Sequence, residues 1–268
     1  MEQTKYEEYA LTERAGVPVM LYHDGADYVA GSTWRGPDAN DKDAYSGFSV
    51  CGYVGDSEEH TRLCRSQLKA AFKADALVQP RQTHTATVAV FAREPLQLTN
   101  MRIVAQESEL QDVDAVVTGE RSVMIGVNTA DCVPVLMADA AAGVIAAVHA
   151  GWRGAVAGIV PEAVAVMRRL GADVSATRAY IGPCIHACCF EVGEEVAEQF
   201  PASCVNTVPG SERPHVDLVR FVTGQLHDAG VTAVSAAAMC TRCNPSQFFS
   251  ARARGIRSGR IFSFAMLR

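Results

Sequence analysis

The 268-residue sequence has no apolar run long enough to cross a membrane. The longest runs, such as Ala140–Val148, soon meet charge. Its opening residues, MEQTKYEEYALTERAG, lack the basic start and apolar core of a secretory signal, so a cytoplasmic location is expected. An excess of positive charge is also missing. With 24 Lys and Arg against 30 Asp and Glu, the formal charge is −6, which argues against a general nucleic-acid binder. A small anionic substrate stays open, because a local pocket can oppose the net charge. No repeat, low-complexity tract or composition break marks a linker. One domain is expected, with residues 1–45 forming irregular strands and loops at the periphery of a body over 46–268. Nine cysteines, an odd number without a signal, suggest reduced thiols with one or two serving as ligands.

What is present reads as a mixture of strands and helices. Residues 58–72 (EEHTRLCRSQLKAAF) suit a helix with Asp56 or Ser57 at its N-cap. Residues 115–118, 123–128, 133–138 and 144–149 are short β-branched runs, as closely spaced strands would be. A helix over 155–170 is closed by Gly171, with Pro161 predicting a kink or a second start. Further strands near 179–181, 231–238 and 261–266 and helices near 194–200 and 218–229 complete the pattern. The mixture predicts an α/β (α+β) fold, a layered α/β/α sandwich with a mixed sheet.

Three residues far apart in sequence lie at or beside expected strand ends: His84 in Gln-Thr-His, Cys132 in Ala-Asp-Cys-Val-Pro, and His149 before a glycine-flanked turn. Two imidazoles and a thiolate suit zinc, and three protein ligands leave one tetrahedral position open for water or substrate. Cys132 and His149 equally permit a thiolate activated by an imidazole, with Asp131 or Gln82 orienting the ring. Spacing alone does not separate these, nor exclude side chains that merely pack. Gly151-Trp-Arg-Gly154 offers close backbone approach and a helix start, with Arg153 a donor for phosphate or carboxylate; it lacks the Lys-Ser/Thr of a P-loop. Cys184-x-x-x-Cys188 with Cys240-x-x-Cys243 imitates a four-cysteine zinc site, but the first spacing is loose and Cys189 confuses it, so packed thiols are expected. Arg252, Arg254 and Arg257 form a basic cluster, read as a solvated hairpin or as one wall of an anion pocket.

Several segments then resemble one family, the laccase-domain (multicopper polyphenol oxidoreductase-like) proteins associated with purine nucleoside phosphorylase activity. The matching segments are GYVGD (52–56), Arg65, Gln82-x-His84, DAVVT (114–118), NTADCVPVLMAD (128–139) and VHAGWRG (148–154). YIGPCI (180–185), FEVG (190–193), HVDL (215–218), Cys240-Thr241, FFSAR (248–252) and Gly259-Arg260 continue it. The resemblance implies a compact layered α/β fold and a metal, zinc rather than copper, on His84, Cys132 and His149. It also implies phosphate-dependent cleavage of adenosine, inosine and methylthioadenosine, with adenosine deamination in some members. The chain departs from the family's usual pattern at Thr85, where glycine is customary, around Phe48-Ser49, at Cys64 before Arg65, and in lacking a clean early Gly-Phe-Ser/Thr-x-Arg stretch. These changes bear on substrate choice; the ligand triad is intact.

The expected partners are therefore a nucleoside and phosphate, with no nucleic acid or membrane, in a monomer or homodimer. Arg65, Gln82, Arg153 and Arg252 are the candidate substrate and phosphate contacts. Cys132 and His149 stand in the catalytic centre, and Asp131 is a candidate proton carrier for deamination. Two rivals remain. One is a Cys132–His149 or zinc amide hydrolase that edits peptidoglycan precursors; the other is a zinc-dependent binding protein. Copper polyphenol oxidation ranks low, because no paired His-x-His array is present.

Overall fold

The computed structural model describes residues 4–96 and 98–268. The four central β-branched runs are strands at Ala115–Thr118, Val123–Thr129, Val133–Asp139 and Val144–Ala150, each buried along its whole length. A strand buried on both faces must send successive side chains into different cores. Val116, Leu136 and Ala147 enter one core, while their neighbours Val117, Val135 and Val148 enter another.

The strands fall into two large sheets. In spatial order, the eight-stranded mixed sheet runs Tyr6–Glu7, Ala233–Ala237, Arg178–Ile181, Val133–Asp139, Val144–Ala150, Ala115–Thr118, Val88–Phe91 and Arg102–Val104. The six-stranded sheet runs Thr12–Arg14, Val17–Asp24, Tyr28–Thr33, Ile261–Leu267, Val123–Thr129 and Ala76–Val78. A third, two-stranded pairing joins Val205–Asn206 to His215–Val216.

The core containing Ile125, Val127 and Ala265 from one sheet and Val116, Leu136 and Ala147 from the other lies between the two large sheets. Helices Ile159–Arg169 and Leu218–Asp228 cover the far side of the eight-stranded sheet through Ile159, Ala163, Val219 and Val222. Helix Glu58–Phe72 covers the six-stranded sheet through Cys64, Leu68 and Phe72. The layered α/β architecture is the one expected, with its sheet layer doubled. Within the 1–45 segment the difference is larger. Tyr28–Thr33 is a fully buried inner strand, paired on both sides, because Tyr28, Val29 and Ala30 complete cores on both faces of their sheet.

Local chemistry explains the helix limits. Ser57 caps the first helix by accepting from His60 N, and Glu58 and Glu59 stand against the positive end of its dipole. Pro161 marks a second start: Trp152–Val156 stops, Gly158 turns at φ +87°, and Ile159–Arg169 begins with the proline in its first turn. The basic cluster is not a hairpin. Ala251–Arg254 is a single helical turn capped by Ser250, and Arg254 pairs with Asp41 and the Pro245 carbonyl. No helix among the described residues is long and apolar enough to cross a membrane.

Candidate metal centre

The centre forms where chain segments pass from one large sheet to the other. Val123–Thr129 belongs to the six-stranded sheet and Val133–Asp139 to the eight-stranded sheet, so Ala130-Asp131-Cys132 is the crossing. Asp131 makes the bend at φ +91°. Pro134 lies opposite His149 in the antiparallel pair, which brings Cys132 beside His149. A second crossing, from Ala76–Val78 to Val88–Phe91, carries His84, itself at φ +65°. Two non-glycine residues in the left-handed region at one site are a local strain that the surrounding bonds must hold.

Those bonds converge on Asp114, which is fully buried at the start of Ala115–Thr118. Its Oδ1 accepts from His149 Nδ1 at 2.7 Å and from the His84 backbone N–H at 3.0 Å. Its Oδ2 accepts from the backbone N–H of Thr83 at 3.2 Å, and from the Thr85 backbone N–H and hydroxyl at 2.8 Å each. One carboxylate therefore shapes the His84 loop and orients the His149 ring. Thr85, where the family usually has glycine, adds a hydroxyl donor to that carboxylate.

The donor atoms of His84, Cys132 and His149 all lie within 4.8 Å of one another, and His84 Nε2 is 3.6 Å from Cys132 Sγ. His84 is exposed, Cys132 half-buried and His149 buried, so the group opens to solvent on one side. His149 donates a hydrogen bond from Nδ1 to Asp114, which leaves Nε2 as the atom that could bind a metal. Such a group can hold a metal ion.

Electrostatics favour the ligand-ready state of the sulfur. Burial opposes ionisation of Cys132, but the charge and hydrogen bond of His149, helped by His84, override it and lower the thiol to about 6. Burial likewise opposes charging of His149, yet the Cys132 thiolate and Asp114 raise it to about 9. Desolvation would raise Asp114, but its bond to His149 holds it down at about 2.

The two motif glycines gain a purpose that spacing did not reveal. A Cβ on Gly151 would lie 2.6 Å from His84 Cδ2 and 3.2 Å from Cys132 Sγ; one on Gly154 would lie 2.8 Å from the Thr85 carbonyl. Both glycines let Trp152–Val156 pack against the loops that carry His84 and Cys132. That helix has five residues, too short for the helix-terminal anion cradle suggested by the motif.

The other candidate residues are dispersed among different duties. Gln82 splints the crossing: its Nε2 donates to the Asn128 carbonyl and its Oε1 accepts from the Asn128 N–H, both at 2.8 Å. Asp131 commits both oxygens, accepting from the Thr241 hydroxyl at 2.7 Å and from the Arg252 N–H at 2.6 Å. That is the geometry of a positioning residue. Arg65 is paired with Glu107 at 2.7 Å and donates to the Leu77 carbonyl. The Arg252 guanidinium donates to the Glu191 carbonyl, and Arg153 lies over the Trp152 ring at 4.2 Å. Neither makes an ion pair among the described residues. A cleft of about 400 Å³ is lined by Tyr53, Gln79, Arg81, Glu107, Ser108 and Gln111; the Tyr53 hydroxyl donates to Gln82.

Sequence reasoning missed Asp114 and Thr241 as supporting residues. A carboxylate placed directly before the apolar run Ala115–Val117 was the available signal for Asp114, because such a group is buried only with partners. The cysteine reading also changes. Cys184 is fully buried and apart, whereas Cys188, Cys189, Cys240 and Cys243 bring their sulfurs within 4.8 Å of one another.

A family model described as multi-copper polyphenol oxidoreductase laccase matches residues 18–268. The chain belongs to this laccase family. Among its relatives, adenosine deaminase RL5 from an unknown prokaryotic organism is 42% identical over 244 residues, covering 87% of this chain and 91% of that protein. A purine nucleoside phosphorylase of Bacteroides thetaiotaomicron is 36% identical over 234 residues, covering 83% of this chain and 86% of that protein. In the crystal structure of Bacillus licheniformis hypothetical protein YfiH, the laccase-family fold recurs with a TM-score of 0.83 and 25% identity, across 98% of this chain and all of that one.

Proposed function

We propose that the protein is a zinc-dependent enzyme of purine nucleosides, cleaving adenosine, inosine and methylthioadenosine with phosphate and deaminating adenosine at the same centre. The observation that carries this reading is the meeting of His84, Cys132 and His149 on the open side of a sheet crossing. Zinc bonds of about 2.0–2.1 Å to nitrogen and 2.3 Å to sulfur give a tetrahedral N···S edge of about 3.6 Å. The His84 Nε2 to Cys132 Sγ separation is 3.6 Å. The His149 tautomer set by Asp114 supports the same assignment, since metal-binding imidazoles commonly donate their other nitrogen to a carboxylate. The relatives named as a deaminase and a phosphorylase support nucleosides as the substrate class.

When bound, zinc supplies a Lewis acid at its open position, able to polarise substrate or activate water. The remaining work falls to the chain. The 400 Å³ cleft beside Gln82 has the size of a small-molecule site, and its amide and phenol groups suit a nucleoside. Arg153 and Arg252 are better phosphate donors than Arg65, whose charge Glu107 already neutralises. Phosphorolysis forms a bond from a phosphate oxygen to the anomeric carbon as the glycosidic C–N bond breaks and the purine departs. Positioning and charge stabilisation by the arginines supply the rate. Asp131 acts by fixing the Cys132 turn.

The lowered thiol of Cys132 beside His149 favours a second reading, a metal-free cysteine hydrolase of amide bonds. One assay separates the two. Metal-replete protein should release hypoxanthine from inosine only with phosphate present, and ammonia from adenosine. No turnover of either nucleoside would defeat the proposal, and amide hydrolysis that survives chelation but not thiol alkylation would establish the rival.

A further inference from the structure

We propose a second metal site, in which Cys188, Cys189, Cys240 and Cys243 hold one tetrahedral zinc ion that fastens two loops, one of which bonds to the Asp131 bend beside Cys132. Nothing in the nucleoside chemistry calls for these four thiols. Their sulfurs are mutually close: Cys188 to Cys189 is 3.8 Å, Cys188 to Cys243 3.7 Å, and Cys189 to Cys243 3.4 Å, with Cys240 within 4.8 Å of the rest. A tetrahedron with 2.3 Å zinc–sulfur bonds has edges of about 3.8 Å. A disulfide needs about 2.05 Å. An iron–sulfur cluster places several irons and sulfides between its cysteines, which requires wider separations than these. Four soft thiolates in a tetrahedron are a donor set of structural zinc.

The backbone around the sulfurs is built in the same sense. Cys240 and Cys243 flank a turn, and the Asn244 N–H returns to the Cys240 carbonyl at 3.1 Å. The His186 backbone N–H points at Cys240 Sγ at 3.4 Å, the kind of donor that stabilises a metal thiolate. Cys184 and Cys240 form an isolated bridge, with the Thr241 N–H donating to the Cys184 carbonyl at 2.9 Å. These bonds hold the loops at 188–189 and 240–243 side by side, although about fifty residues separate them in sequence, so a shared ion closes a long loop. Cys188 and Cys243 are exposed, so without an ion the chain would present a cluster of oxidisable thiols to solvent.

The consequence reaches the first centre through one residue. Thr241, next to Cys240, donates to Asp131, which precedes Cys132 and holds the left-handed bend. On the other loop, Glu191 follows Cys189 by two residues, and its carbonyl receives the Arg252 guanidinium. Binding would convert four thiols to thiolates, releasing up to four protons to solvent per zinc ion, with no change of oxidation state.

The test uses the full chain with the first centre removed, His84→Ala/His149→Ala, purified from zinc-supplemented cells. About one zinc per chain is expected, with X-ray absorption showing sulfur ligands alone, and adding Cys189→Ser/Cys243→Ser should remove it. A variant without metal, or one whose metal survives the serine changes, overturns the proposal. Should the variants fail to fold, the unmutated metal-replete chain decides by thiol labelling with peptide mapping. Cys188 and Cys243 should resist modification until a chelator strips the metal. Prompt labelling of either, or a mass deficit from a Cys189–Cys243 disulfide, refutes the site.

Discussion

Replacing Asp114 by asparagine keeps the side chain's shape and removes one of its two acceptor oxygens. In one orientation the new amide NH2 stands at the Oδ2 position and faces the N–H groups of Thr83 and Thr85, orphaning two part-buried donors. In the other it stands at Oδ1, orphans only the His84 N–H, and donates to His149 Nδ1. The second orientation leaves fewer unpaired donors and should prevail. It reverses the imidazole tautomer, placing a proton on the nitrogen that would hold the metal. A fully buried unsatisfied donor costs about 1–3 kcal/mol, and the part-buried His84 N–H falls towards the lower end. Linkage gives a similar figure: lowering Asp114 from its ordinary 3.8 to about 2 is worth roughly 2 kcal/mol at neutral pH. Because the folded value is depressed, that stability is present above the ordinary carboxylate range and is lost as pH falls towards 2. Asp114→Asn should therefore lower stability by about 2 kcal/mol at neutral pH and flatten the acid limb of the stability curve. Zinc affinity should fall about 10–100-fold, the usual cost of losing such a partner. Chemical denaturation of metal-free protein from pH 2 to 7, with chelator-competition titration of zinc, measures both. Wild-type zinc affinity in a folded variant would refute the claim that Asp114 sets the His149 ligand atom.

Other outcomes follow from the same geometry. Gly151→Ala places a Cβ 2.6 Å from His84 Cδ2, so the ring must move; zinc affinity should fall at least tenfold while thermal stability changes little, as parallel titration and melting would show. In metal-free protein, Cys132 should alkylate with a midpoint near pH 6; a midpoint in the ordinary thiol range would mean that His149 does not stabilise the thiolate. Because metal-free His149 titrates near 9, zinc binding between about pH 6 and 9 should release about one proton from that ring, and affinity should rise with pH across this interval; proton release in weakly buffered titrations tests it. Thr241→Val removes the hydroxyl donor to Asp131 and should lower kcat severalfold, leaving His84, Cys132 and His149 in place; unchanged kcat would show that Asp131 needs no such support.

The sequence by itself determined the central secondary elements, because the signals for them are local. Helix 58–72, the four central strands and the restart near Pro161 all follow from periodicity, caps and a proline. It also singled out His84, Cys132 and His149, through residue types at strand ends and the likeness of their motifs to a family. Only the tertiary structure decided that the sheet layer is double, since a strand buried on both faces looks the same whether a helix or another sheet covers it. The duties of Asp114, Gln82 and Gly151 were decided there too, because a carboxylate, an amide or a missing Cβ acquires its role from atoms that topology delivers from distant segments. The cysteines show the same limit. Spacing offered Cys184 as a partner for Cys188, and the fold buried Cys184 and brought Cys189 forward, a choice set by which way each side chain leaves its loop.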